Sequence, residues 1–135
     1  EKKFSDYCSE TWENLCRQAI PLLFKDNSFE PADRWWGNDI NKNTVEIDVV
    51  ANSRDKKQLI IGEVKWSSTR NVSALLKQLD KKAENFAAAK NKKINKVLFL
   101  KEKPKHTPKD CYIFSPEDVI EAYRDKNAKI LLYKQ

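Results

Sequence analysis

Between residues 4 and 23 apolar side chains recur at Phe4, Tyr7, Cys8, Trp12, Leu15, Cys16, Ala19, Ile20 and Leu23. That three-and-four spacing predicts one face of a helix. Ser5 or Asp6 suits its start, and Pro21 ends or kinks it. Glu13 lies beside the apolar stripe, where it can look along the boundary between helix and sheet. A polar loop follows, and Arg34-Trp35-Trp36-Gly37 then predicts a short strand. One tryptophan ring is expected in the core and the other nearer an edge. From residue 44 to 51 the period drops to two. Val45, Ile47 and Val49 fall on one face, with Glu46, Asp48 and Val50 on the other. A polar turn over 52–57 leads to a second strand, 58–66. There Leu59, Ile61, Glu63 and Lys65 share a face, and Ile60, Gly62 and Val64 share the opposite one. Paired as a hairpin, the two strands bring Asp48 close to Glu63.

Residues 67–71, Ser-Ser-Thr-Arg-Asn, form a loop with several candidate helix caps. A second helical stripe follows at Val72, Leu75, Leu76, Leu79, Ala83, Phe86 and Ala87, with a long alanine-rich end. Lys77, Gln78, Lys81 and Lys82 are placed on its other faces. Residues 94–100 are apolar on both sides, as suits an interior, parallel strand reached by a helical crossover. The loop 101–110 carries Lys101, Lys103, Lys105 and Lys109, and residues 111–114 give a short strand. Ser115-Pro116-Glu117-Asp118 supplies a cap, a proline at the first helical position and acids in the first turn. The helix continues through Val119, Ile120 and Tyr123, and residues 130–133 are expected to add a final edge strand. The order is therefore helix, three strands, helix, two strands, helix: a mixed α/β fold. No repeat or linker divides residues 1–135, so they read as one domain.

Composition narrows the function classes. Lys and Arg number 26 against 20 Asp and Glu, a net charge of +6. With a mean hydropathy of −0.76, the surface is charged and suited to phosphates. No apolar run reaches the ~18 residues of a membrane span, and the N-terminus lacks an apolar signal core. Three cysteines, Cys8, Cys16 and Cys111, argue against a disulfide framework. Cys8 and Cys16 share a helix face as buried thiols, and a reducing cytoplasm fits. A single histidine, His106, sits in a Lys/Pro-rich loop and is poor material for a zinc site or a nucleophile–histidine pair. The chain begins at Glu1 and contains no methionine, which reads as a domain taken from a longer protein.

Two carboxylates and an ammonium converging at the end of an apolar sheet are costly as core and useful as a hard-cation site. Glu46 is expected to face outward near the strand start, or to support Asp48 from behind. Asp48, followed fifteen residues on by Glu63-Val64-Lys65 and preceded by a helix bearing Glu13, resembles the PD-(D/E)xK nuclease superfamily. Ile47 stands where that motif has proline. Trp12-Glu13, Arg34-Trp35-Trp36-Gly37, EIDVVA and GEVKW together resemble DUF234, the C-terminal domain of archaeal and bacterial AAA-type ATPases, over roughly residues 4–114.

The resemblance implies a restriction-endonuclease-like three-layer sandwich, a mixed central sheet flanked by helices. It implies Mg²⁺- or Mn²⁺-dependent hydrolysis of DNA phosphodiesters. Asp48 and Glu63 would each give the metal an oxygen, with the Val64 backbone carbonyl as a third. Glu13 would help directly or through water. Lys65 would orient or deprotonate the nucleophile and touch the scissile phosphate. Lys77, Gln78, Lys81 and the lysines of 101–109 would contact the DNA backbone without reading sequence. An ATPase domain in the parent chain is the implied partner, and pairing into a homodimer is common among nucleases of this fold. The alternative reading is a catalytically inactive module that binds nucleic acid or docks on its ATPase neighbour.

Overall fold

The computed structural model describes the backbone of residues 2–25, 28–66 and 71–134, with side chains from residue 10 to residue 127 within those spans. The elements run α1 (Lys2–Leu23), β1 (Asp33–Asn38), β2 (Thr44–Asn52), β3 (Gln58–Lys65), α2 (Val72–Glu84), β4 (Lys93–Leu100), β5 (Cys111–Phe114) and α3 (Pro116–Lys134). A short 3₁₀ turn, Ala87–Ala89, links α2 to β4. The five strands lie side by side in chain order. β1, β2 and β3 pair antiparallel, and β3, β4 and β5 pair parallel. The short connections give the antiparallel pairs, and the long crossover through α2 gives the β3–β4 pair.

Each sheet face carries its own core. Cys16, Ala19 and Ile20 of α1 and Val119 of α3 pack on Val49, Ala51, Ile60, Val64, Val97 and Phe99. Leu75, Leu79 and Phe86 cover Ile47, Leu59, Ile61, Leu98 and Ile113 on the opposite face. β3 is buried on both sides from Leu59 to Val64, which is why its sequence is nearly continuous apolar. The Tyr123 hydroxyl donates to the Leu15 carbonyl at 2.8 Å, tying α3 to α1.

Pro21 lies within the last turn of α1. It has no N–H for the Arg17 carbonyl four residues back. That carbonyl instead accepts the Ala32 N–H at 3.1 Å. The proline thus frees the acceptor that docks the approach to β1 onto the helix. At α2, Asn71 is the cap, its side chain accepting the Ala74 N–H at 2.9 Å. At α3, Ser115 and Asp118 exchange hydrogen bonds, Asp118 accepting the Ser115 N–H at 2.9 Å. Cys16 is buried, as expected, and burial pushes its thiol up to about 12. The Cys8 side chain and the loop residues 67–70 lie outside the described residues.

Three sequence expectations are corrected. First, the alternation of β2 does not hold along its length. Trp35 pairs with Ile47 but Asp33 pairs with Val50, so three steps on β2 face two on β1. This bulge sends Val45, Ile47 and Val50 to the α2 side, and Val49 and Ala51 to the α1 side. Second, the helical stripe stops at Glu84. The Asn85 side chain donates to the Lys81 carbonyl at 3.1 Å, competing with the helix ladder. Phe86 then turns in to pack on Trp35, ring centroids 4.7 Å apart. Third, residues 130–133 are helix, not strand. No glycine or proline follows Pro116 to break α3, and a four-residue apolar run does not by itself distinguish the two states. Trp36 is 68% exposed while Trp35 is half-buried, as the paired tryptophans predicted.

Candidate functional site

The β2–β3 ladder runs from Asn52↔Leu59 to Val49↔Gly62 and stops one level short of Asp48 and Glu63. β3 continues beside β4 as far as Lys65↔Leu100. β2 and β3 are thus unpaired at the level of the two carboxylates, beside the bulge in the β1–β2 pair. Asp48 spans the fork with its side chain: Oδ2 accepts the Val64 N–H at 3.0 Å. A side-chain oxygen thus takes a donor that strand pairing leaves over, and this fixes the Asp48 carboxyl beside the end of β3.

Glu63 lies on the α2 side and is 6% exposed. Its carboxyl is pushed up to about 7, chiefly by burial and then by its hydrogen bond with Asp48, while Lys82 pulls the other way. The Lys82 Nζ sits 2.5 Å from Glu63 Oε1 and 2.7 Å from the Glu46 backbone carbonyl. Glu13 of α1 is half-buried, and burial, then the charge of Asp48, raises its carboxyl above the usual range. Arg17 is 7% exposed. It lies 3.6 Å from Glu13 Oε2 and donates to the Asp48 backbone carbonyl at 3.5 Å. Of the four expected catalytic residues, Glu13 and Glu63 thus each feel the charge of Asp48. Lys65 stands exposed just past them at the strand end. Trp66, half-exposed, meets Trp12 edge-on at 5.5 Å on the α1 side.

The family model of DUF234, archaeal and bacterial proteins of unknown function, matches residues 1–83, more than half of the chain. The chain belongs to the DUF234 family. The match takes in α1, the β1–β3 unit and nearly all of α2, hence every residue of the site. It ends before β4, β5 and α3, whereas the sequence resemblance reaches residue 114. Neither the curated proteins nor the solved structures give a match to this chain.

Beside the fork of this DUF234 chain, α2 and the β1–β2 turn enclose a cleft of about 440 Å³. Asp39, Asn43, Thr44, Glu46, Gln78, Lys81 and Lys82 line it. Gln78 and Lys81, the residues expected to touch a DNA backbone, both line this cleft. Lys77 is exposed on α2 and lines no part of this cleft. In the 101–109 loop, Lys103 is engaged elsewhere, 2.7 Å from Asp118. The Glu46 carboxylate faces outward and pairs with Arg34, whose guanidinium lies 5.4 Å from the centre of the Trp36 ring.

Sequence reading missed Lys82 and Arg17. The sequence reading places Lys82 off the apolar stripe of α2, yet it follows Leu79 by three residues and Leu75 by seven. Both leucines are buried, so the charge sits on the sheet-facing stripe. That interruption was the available signal. Arg17 adjoins Cys16 and follows Glu13 by four, an i,i+4 ion pair written in the sequence.

Among the described residues, no three Asp, Glu, His or Cys side chains form a group that could hold a metal on their own. Asp48 and Glu63 nonetheless offer two carboxylates within hydrogen-bonding reach of each other. Their repulsion is what a dication relieves, and an all-oxygen set suits Mg²⁺ or Mn²⁺, which retain waters. The pair fits such an ion provided substrate and water complete the shell.

Proposed function

We propose that this DUF234 chain is a metal-dependent nuclease domain of the PD-(D/E)xK kind, with a restriction-endonuclease-like core, that hydrolyses DNA phosphodiesters beside an AAA-type ATPase partner. One observation carries the reading: Asp48 and Glu63 meet where β2 and β3 part, with Lys65 two residues on. A Mg²⁺ or Mn²⁺ held there supplies an acidified water and charge neutralisation at the phosphate. Asp48 and Glu63 each present an oxygen, and the Val64 carbonyl is a third donor. The Val64 N–H orients the Asp48 carboxylate. Glu13, whose carboxyl feels the charge of Asp48, helps directly or through a bound water. Lys65 steers that water and contacts the scissile phosphate. Gln78 and Lys81, with Lys77 beyond them, grip the backbone without reading bases.

The ion pair between Lys82 and Glu63 favours a second reading, because it neutralises one ligand without any dication. In that case the domain keeps the fold and binds nucleic acid or its ATPase neighbour without cutting. Plasmid, branched and single-stranded DNA incubated with Mg²⁺ or Mn²⁺ separates the two. Metal-dependent cleavage by the wild type is expected, falling at least about a hundredfold in Asp48→Ala and in Lys65→Ala. Cleavage that survives either change contradicts these roles. Salt-sensitive DNA binding with no cleavage selects the second reading.

A further inference from the structure

We infer that Lys82 is a counter-ion built into the site, a monovalent cation that a divalent ion must displace from Glu63. The inference deepens the metal-dependent reading and rests on it. Lys82 reaches Glu63 from α2 with its side chain 27% exposed, against 8% for Glu63. Lys82 is only partly buried, but the carboxylate it meets is buried, and a carboxylate so buried needs a compensating charge. The contact at 2.5 Å falls on Oε1 of the same carboxylate that a hard cation requires. An ammonium on Oε1 and a dication on the same carboxylate repel each other at close range, the more so because the partly buried site screens them weakly. Binding of the dication therefore weakens the hold on the ammonium and drives it off Glu63.

The second contact of Lys82 makes the exchange local. The ammonium also donates to the Glu46 carbonyl at 2.7 Å. Glu46 and Lys82 both line the cleft that Gln78 and Lys81 border. On release from Glu63 the ammonium keeps the Glu46 bond and turns toward the cleft. Without a divalent ion, Lys82 holds the fork together. With one, it hands Glu63 over. Lysine pairing and metal binding thus oppose each other, and the opposition is reciprocal.

The test is calorimetric titration of Mn²⁺ into the full chain as wild type, Lys82→Met, Lys82→Gln and Lys82→Arg. Lys82→Gln retains a hydrogen-bond donor for Glu63 and covers the case in which the methionine variant fails to fold. Removing the charge is expected to tighten Mn²⁺ binding about five- to tenfold, within the usual span of coupling between sites. Lys82→Arg is expected to stay near wild type. Thermal melts give a second reading: the uncharged variants melt lower than wild type in chelator, and Mn²⁺ closes the gap. Unchanged or weaker Mn²⁺ binding in a folded, uncharged variant, with the wild type binding, overturns the inference alone. Failure of both wild type and Lys82→Gln to bind Mn²⁺ overturns the metal-dependent function and the inference with it.

Discussion

Glu63→Gln is expected to stabilise the divalent-free protein at pH 8 while removing metal-dependent cleavage. In the folded chain the Glu63 carboxyl is pushed up to about 7 from an ordinary 4.5, first by burial and then by Asp48. The fold therefore holds this proton more tightly than the unfolded chain does. Below about pH 4.5 both states keep it and nothing is lost. Between 4.5 and 7 the unfolded chain ionises first, and stability falls as pH rises. Above about 7 the loss is complete, on the order of 3 kcal/mol for a shift of this size. Glutamine is neutral throughout. In chelator, urea unfolding should show a gain of about 1–3 kcal/mol at pH 8, with the lost Lys82 pairing setting where in that range it falls. At pH 4 the gain should vanish. An equal gain at both pH values, or none at pH 8, contradicts the burial argument. A site residue that weakens its own fold is the signature of a group kept for chemistry.

Gly62→Ala is expected to cost about 2–3 kcal/mol, through overpacking in the middle of the sheet. A Cβ at this position would stand 2.6 Å from the Val97 carbonyl oxygen and 3.3 Å from the Val49 Cβ. The oxygen belongs to the β4 backbone, so it cannot turn aside as a side chain would. Relief requires β3 to pull away from β4, and β3 carries Glu63 in the next position. The loss should appear as a lower denaturant midpoint with an unchanged slope. Gly37→Ala is the useful comparison. Its Cβ would meet the far end of the Trp35 ring at 3.0 Å, and a ring edge can give way. A loss at Gly62 no larger than at Gly37 contradicts the close approach of β3 and β4.

Much of this architecture was readable because pattern and topology agree. The period-two hairpin, the doubly apolar β4 and the Ser-Pro-Glu-Asp helix start each have one natural structural answer. What escaped did so for physical reasons. A bulge leaves no mark in a polar/apolar string, because Val49 is equally apolar on either face. The β2–β3 ladder stops beside the same bulge, so the missed irregularity lies at the site. Lys82 escaped because it was grouped with Lys77, Gln78 and Lys81 off the apolar stripe, although its phase with Leu75 and Leu79 turns it toward the sheet. The strand expected at 130–133 failed because four apolar residues fit the end of α3 equally well. By contrast, the proximity of Asp48 and Glu63 was legible, since turn position and register put them level with each other one step past the last β2–β3 pair.

The central claim is that Asp48 and Glu63 together receive a hard divalent cation at the β2–β3 fork. Anomalous diffraction from a crystal of this chain soaked in Mn²⁺ tests it most directly. The account predicts a peak bonded to one oxygen of each carboxylate at about 2.2 Å, with the Lys82 ammonium turned off Glu63. No peak at the fork, with Lys82 still seated on Glu63 in saturating Mn²⁺, would contradict it.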